Sequence, residues 1–125
     1  MTYRVVHFGT GYAGMHALRG IINHPDLELV GLVVHSDDKA GKDAGELAGV
    51  DRTGVIATQH LDAAIALDAD AFCYMATTHG RLKVASGELC QILESGKNVA
   101  TTSFGLLIHP RSARPDVLVR LEESA

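Results

Sequence analysis

The chain has 125 residues, a formal net charge of −4 at neutral pH and a hydrophobic fraction of 46%. This length fits one domain, and the hydrophobic fraction is too high for a disordered segment. The mild acidic balance gives no reason to expect nucleic-acid binding, and no apolar run is long enough to cross a bilayer.

The chain opens with a predicted strand, a glycine-rich loop and a predicted helix. Tyr3 to Phe8 reads as a short strand, Gly9 to Gly14 is a complete G-x-G-x-x-G, and a helix follows to about Asn23. Between a strand and a helix this motif is typical of dinucleotide binding. The first glycine allows a tight turn, Gly11 lets a pyrophosphate approach the backbone, and Gly14 lets the helix pack on the strand. The free N–H groups of the helix start are expected to hold the phosphates.

The rest of the chain alternates between predicted strands and helices. In order they are a strand over Leu27–Val34, a loop with one helical turn over Gly41–Gly49, a strand over Gly54–Thr58, a helix over Leu61–Leu67, a strand over Ala71–Ala76, a helix from about Leu82 that ends at Ser95-Gly96, a strand over Val99–Thr101 and a last helix after Pro115. The alternation predicts an α/β fold, a Rossmann-type doubly wound parallel sheet with helices on both faces. The expected strand order is 3-2-1-4-5, in one dinucleotide-binding domain over residues 1–125.

Polar residues follow the predicted strands at the edge where a dinucleotide would lie. His35, Ser36 and Lys39 follow the second strand, where an NAD-binding domain usually carries an acid for the ribose. Because the acids come later, at Asp37 and Asp38, we expect the 2′-phosphate of NADP to be favoured, with NAD as the alternative.

Two later strand ends are expected to lie beside the nicotinamide. The candidate contacts there are Ala76, Thr77, Thr78, Thr102 and Ser103, together with the loop residues Gly9, Thr10, Gly11, Tyr12, Ala13 and Gly14. Thr78 fits a helix N-cap equally well. His79 is the candidate acid/base because imidazole titrates near neutral pH, although a lone histidine at a helix start is more often structural.

Other catalytic and metal-binding patterns are not indicated. Cys73 and Cys90 form no C-x-x-C, and the histidines show no metal-ligand spacing, so no metal is predicted. No serine lies in a G-x-S-x-G, which argues against a hydrolase triad. The absence of a disulfide framework and of a signal-peptide core favours the cytoplasm.

Three stretches carry a resemblance to a known family. They are GTGYAG at Gly9 to Gly14, GKDAGELAG at Gly41 to Gly49 and SGKNVATTSFGLLIHP at Ser95 to Pro110. Together they resemble the N-terminal Rossmann domain of the dihydrodipicolinate-reductase-like NAD(P)-dependent oxidoreductases, in the branch of 2,4-diaminopentanoate dehydrogenase and the native amine dehydrogenases. The resemblance implies hydride transfer between a nicotinamide cofactor and a C=O or C=N substrate. It also implies a C-terminal substrate domain, which has no counterpart before Ala125.

One departure from that family concerns the substrate. The amine dehydrogenases carry an acid just after the fifth strand, and this chain has Phe104 there. A phenyl ring cannot hold a substrate ammonium, so reduction of a carbonyl, imine or enamine-type double bond is left open. Catalytic residues stay unassigned, and the isolated chain is expected to be catalytically incomplete.

The sequence is also compatible with two functions other than catalysis. One is a stand-alone module that senses NAD(P)H, and the other is a CoA-binding Rossmann domain, against which the glycine motif argues. The expected partners are a small-molecule substrate and a second copy or a substrate domain. Neither nucleic acid nor a membrane is expected. A second copy is favoured by apolar residues of the last predicted helix, Val117, Leu118 and Leu121.

Overall fold

The elements alternate along the chain as an α/β fold requires. The computed structural model describes residues 2–76 and 81–101. Its elements are β1 (Tyr3–Phe8), α1 (Tyr12–Asn23), β2 (Leu27–Val33), α2 (Ala44–Ala48), α3 (Leu61–Ile65), β3 (Ala71–Tyr74), α4 (Leu82–Glu94) and β4 (Asn98–Thr101). No helix in the described ranges has the length and apolarity needed to cross a membrane.

The strands form one parallel sheet in the order β2-β1-β3-β4. Along the sheet, the chain runs from β1 outward to β2 and then returns to β3 on the other side of β1. The order therefore reverses between β1 and β3, the place where doubly wound sheets bind ligands beyond the strand ends. The predicted Rossmann-type α/β class is confirmed.

The prediction of a regular strand over Gly54–Thr58 is wrong, because the structure has an irregular extended segment there. Among the described residues it makes two isolated bridges, Thr58 with Val33 and Ile56 with Asp43. Its backbone groups form hydrogen bonds with another segment: Ala44 N donates to Val55 O, and Ala57 N donates to Lys42 O. The segment thus pairs with the loop before α2 and reaches β2 only at Thr58. Its place beside β2 is still the one expected for the third strand.

Hydrophobic residues on the two faces of the sheet form two clusters. Adjacent β2 residues alternate between them: Val33 packs with Phe72, Tyr74 and the α4 residues, whereas Leu32 packs with Leu18 of α1 and with α2. This alternation follows from the two-residue period of a strand. A sheet covered on both faces holds its strand ends in fixed positions, and the site depends on those ends.

The turn that contains α2 is organised by one buried carboxylate, that of Asp43. It accepts hydrogen bonds from the backbone N–H groups of Gly45, Thr53 and Gly54 and from the Thr53 hydroxyl, at 2.7 to 3.2 Å. The bond from Thr53 N is the largest cause that lowers the pKa of Asp43 to about 2, against desolvation that acts in the other direction. At Gly45 a Cβ would overlap the Asp51 carbonyl oxygen. The Asp-Ala-Gly pattern therefore builds this turn.

Candidate functional site

The carboxyl ends of β1, β2 and β3 open onto one crevice. Its volume is about 310 Å³. It is lined by Gly9, Thr10, Gly11, Tyr12, Ala13, Gly14, His35, Ser36, Lys39, Met75 and Ala76. All of the described residues that the sequence predicts to contact a dinucleotide are thus gathered around one opening. Met75 also lines the crevice, and nothing in the sequence indicates this, because it continues an apolar strand without a chemical signal of its own.

The three motif glycines meet three different surroundings. Gly9 has a φ of +105°, and a Cβ there would lie 2.6 Å from Ala76 N. At Gly14 a Cβ would overlap the Gly9 carbonyl oxygen, which sets how closely α1 approaches the strand end. A Cβ at Gly11 would meet no atom within 4 Å, so it would protrude into the open crevice. The structure therefore leaves room for a ligand at Gly11, whereas Gly9 and Gly14 are glycines because the backbone packs closely there.

The start of α1 faces the crevice without a side-chain cap. Gly11 is the N-cap residue and makes no side-chain hydrogen bond, and the first turn of α1 holds no acid. Helix starts leave backbone N–H groups unpaired and carry a partial positive charge. Those N–H groups suit a phosphate, so the arrangement fits a pyrophosphate ligand.

One cation lies on the glycine-rich loop. Lys39 Nζ donates to the Thr10 carbonyl oxygen and to the Thr10 hydroxyl, each at 2.9 Å. These bonds tie the loop after β2 to the motif and place a positive charge beside the crevice. Lys39 keeps one further N–H bond direction for a ligand, since an ammonium group has three donors.

The acids after β2 do not line the crevice. Asp37 accepts a hydrogen bond from Gln59 Nε2 at 2.8 Å, and the same amide donates to the His35 carbonyl at 2.9 Å. The Ser36 hydroxyl accepts from Asp38 N at 3.2 Å. His35 itself packs its ring against Phe8, with 5.1 Å between ring centroids. The crevice is therefore bordered here by a histidine, a hydroxyl and a lysine.

A buried histidine lies directly below the glycine-rich loop. His7 of β1 is fully buried, and its Nε2 lies 2.7 Å from the Gly9 carbonyl oxygen. Burial lowers the pKa of His7. The nearby backbone groups of Gly9 and Gly14 raise the pKa, but by less than burial lowers it. His7 lies in no metal-ligand spacing, and no pattern in the sequence points to its contact with the loop.

A polar network joins the end of β3 to the start of α4. The hydroxyl of buried Tyr74 donates to Glu88 Oε1 at 2.7 Å, and Arg81 donates to the same oxygen at 2.6 Å and to the hydroxyl at 3.3 Å. Burial raises the pKa of Tyr74 far above its ordinary range. Burial lowers the pKa of Arg81, but the hydrogen bonds to Tyr74 and Glu88 raise it by more, so the guanidinium stays charged. The network thus joins β3 at Tyr74 to Arg81, the residue before α4, and to Glu88 within α4.

Several predicted site residues lie outside the described residues. They are Thr77, Thr78, His79, Thr102, Ser103 and Phe104, together with the last predicted helix. Within the ranges that the structure describes, no three His, Cys, Asp or Glu side chains gather as a metal site.

Sequence comparison gives two related proteins, and no protein-family model matches the chain. An amine dehydrogenase from Streptomyces virginiae is 36% identical over 112 residues, which cover 89% of this chain and 31% of that protein. A 4-hydroxy-tetrahydrodipicolinate reductase from Nostoc punctiforme is 41% identical over 46 residues, which cover 37% of this chain and 16% of that protein. The chain thus spans less than a third of the length of either relative.

Solved structures share the fold. The amine dehydrogenase of Mycobacterium smegmatis matches with a TM-score of 0.86 at 23% identity, over 100% of this chain and 36% of that one. GenD2 from gentamicin A biosynthesis, solved with NAD, gives 0.64 at 22% identity, over 98% and 32%. Biliverdin reductase from Synechocystis, solved with biliverdin and NADP+, gives 0.67 at 17% identity, over 98% and 35%. The resemblance predicted from the sequence is confirmed: this chain has a Rossmann-type fold and is related in sequence to the amine dehydrogenases and the dihydrodipicolinate reductases.

Proposed function

We propose that the chain binds a nicotinamide dinucleotide in the crevice and serves as the cofactor domain of an oxidoreductase. The observation that carries this proposal is the uncapped start of α1 beside Gly11, where the backbone faces open space. The sequence likeness to an amine dehydrogenase supports the same class of reaction. The substrate is proposed to be a C=O or C=N compound.

Each part of the crevice has a separate task in this proposal. The first-turn N–H groups of α1 bind the pyrophosphate, and the absence of a side chain at Gly11 lets it approach. Lys39 holds the Thr10 backbone and adds positive charge. Met75 and Ala76 form an apolar wall at the end of β3. When bound, the nicotinamide ring supplies or accepts a hydride.

Substitution of Gly11 tests the binding site. Gly11→Val places a branched side chain where the phosphates would lie, so we expect NADPH and NADH binding to be lost while the fold survives. Gly20→Val is the matched control, because Gly20 lies on exposed α1 surface and a Cβ there also meets no atom within 4 Å. Titration calorimetry on the three proteins measures both affinities. Equal affinity in the wild type and Gly11→Val would exclude this crevice as the binding site.

We also propose that NADP is preferred over NAD. The support is that His35, Ser36 and Lys39 line the crevice, whereas Asp37 is bonded to Gln59. A charge-assisted hydrogen bond to the 2′-phosphate is worth about 1.5–3 kcal/mol, or roughly ten- to a hundredfold in affinity.

The affinity ratio tests this preference. Lys39→Gln keeps a donor for Thr10 but removes the charge, so the NADP-to-NAD affinity ratio should fall about tenfold or more toward parity. Lys42→Gln removes an exposed charge of the same loop that does not line the crevice and should leave the ratio unchanged. If the wild type binds NAD at least as tightly as NADP, the preference is wrong, and Asp37 or Asp38 becomes the candidate contact to the ribose.

A further inference from the structure

The contact between His7 and Gly9 fixes which ring nitrogen carries the proton. A carbonyl oxygen only accepts hydrogen bonds, so the 2.7 Å contact requires a proton on Nε2. In the described part of the chain, no group meets the distance and angle of a hydrogen bond to buried Nδ1, and the Gly14 backbone is near enough only to weaken the lowering of the His7 pKa. A second proton on Nδ1 would leave a buried N–H of a charged ring unpaired, which is costly. The ring is therefore neutral and protonated on Nε2.

This bond also fixes the orientation of the next peptide group. The Gly9 carbonyl and the Thr10 N–H belong to one planar trans peptide, so they point in opposite directions. His7 lies in the protein interior below the loop, and its bond draws the Gly9 carbonyl inward. Because the two groups are opposed, the Thr10 N–H points away from the side on which His7 lies. Lys39 holds the Thr10 carbonyl, so both peptide groups around Thr10 are fixed.

The Gly9 carbonyl has a second role that depends on the same orientation. It lies directly against Gly14, where even a Cβ would overlap it. A rotation of the Gly9–Thr10 peptide would therefore change how α1 packs on the loop and would also change the direction of the Thr10 N–H. His7 acts on the two features of the loop that a phosphate ligand needs, a free N–H group and a well-placed helix start.

We propose that His7 is a positioning residue for the glycine-rich loop: its Nε2–H holds the Gly9–Thr10 peptide so that the Thr10 N–H faces the crevice, ready for a phosphate oxygen. His7 does not touch the ligand. The proposal rests on the proposed function for the identity of the ligand, but not for the geometry of the loop. Residues in register with His7 are uncharged neighbours, Leu32 on β2 and the thiol of Cys73 on β3, whose pKa burial raises.

Three substitutions separate the hydrogen bond from mere packing. The side-chain amide of His7→Gln reaches the position of Nε2, that of His7→Asn reaches only that of Nδ1, and His7→Leu has no donor. We expect His7→Asn and His7→Leu to bind NADPH and NADH about tenfold more weakly, and His7→Gln to stay within roughly threefold of the wild type. Calorimetric affinities are compared with thermal melting of each variant. Affinities that follow melting temperature alone, without rescue by glutamine, would overturn the proposal.

A measurement without ligand decides the same point if a variant does not fold. Nitrogen-15 NMR of the wild-type ring should show a neutral His7 protonated on Nε2. Both variants lose the ring current of imidazole, so the Thr10 and Gly11 amide resonances should shift clearly further in His7→Leu than in His7→Gln. A ring protonated on Nδ1, or amide shifts in folded His7→Leu no larger than those in His7→Gln, would overturn the proposal. Failure of the wild type to bind either nucleotide would instead overturn the proposed function, and the NMR result would still decide the role of His7.

Discussion

Two glycines of α1 show how one residue type plays opposite parts within a single helix. Gly14 packs against the Gly9 carbonyl with no room for a Cβ, whereas Gly20 has open space. We expect Gly14→Ala to destabilise the fold by about 1–3 kcal/mol, because a rigid backbone must shift. Gly20→Ala should instead stabilise it by about 0.5–1 kcal/mol, since alanine loses less entropy in a helix. Urea unfolding measures both changes, and destabilisation of equal size in the two variants would contradict the packing role of Gly14.

Single residues of the site differ in how far the sequence predicts them. The glycines at the crevice are predictable because their motif between a strand and a helix is specific, and Lys39 follows from its place after the second strand. His7 is not predictable, because its contact with Gly9 depends on how the strand enters the loop. Asp37 is a further example: only the tertiary contact with Gln59 shows that this acid is held away from the crevice. Side-chain pairing across separate segments leaves no pattern in the sequence.

At the scale of elements, the turn around α2 depends on one carboxylate. Asp43 binds three backbone N–H groups, so Asp43→Ala should lower the melting temperature at neutral pH, whereas Asp51→Ala, an exposed neighbour, should not. The folded-state pKa of Asp43 is lowered from 3.8 to about 2. Its contribution to stability is therefore complete above pH 3.8 and is lost as the pH falls toward 2. Acid titrations of wild type and Asp43→Ala should converge in this window, and parallel curves would contradict the assignment.

Long periodic elements are predictable here, whereas short ones depend on their surroundings. The stripe of Ala85, Leu89 and Ile92 predicts α4, and Gly96 ends it with a φ of +85° as expected. The segment over Gly54–Thr58 reads as a strand, but its N–H and C=O groups bond mainly to the loop before α2. The Gly41–Gly49 motif, which carries part of the family resemblance, forms a turn around Asp43, and none of its residues is in the described lining of the crevice.

At the scale of the whole molecule, the sheet order determines where a ligand can lie. Strand order β2-β1-β3-β4 brings the ends of β1, β2 and β3 to one edge, and the sequence alternation is sufficient to predict this. The described lining is suited to phosphates on the side of α1 and is apolar at Met75 and Ala76. Tyr12 stands 87% exposed at the rim, beside His16. This architecture leaves the proposed cofactor site open on one side.

Turnover requires a substrate held against the nicotinamide in a reactive geometry, and that positioning supplies much of the rate. The chain spans 31% of the length of its amine dehydrogenase relative, and its lining residues at the end of β3 are apolar side chains that cannot transfer a proton. We therefore expect the 125-residue chain to bind NADPH but to catalyse no oxidation of it with ketones, aldehydes or imines. Sedimentation of the purified protein separately tests the expected association of copies. The turnover assay is run on protein whose NADPH binding has been measured in the same sample, with Gly11→Val as the control for nonspecific oxidation. Protein-dependent turnover that disappears in His79→Ala would identify His79 as a working acid and would contradict the expectation of no catalysis.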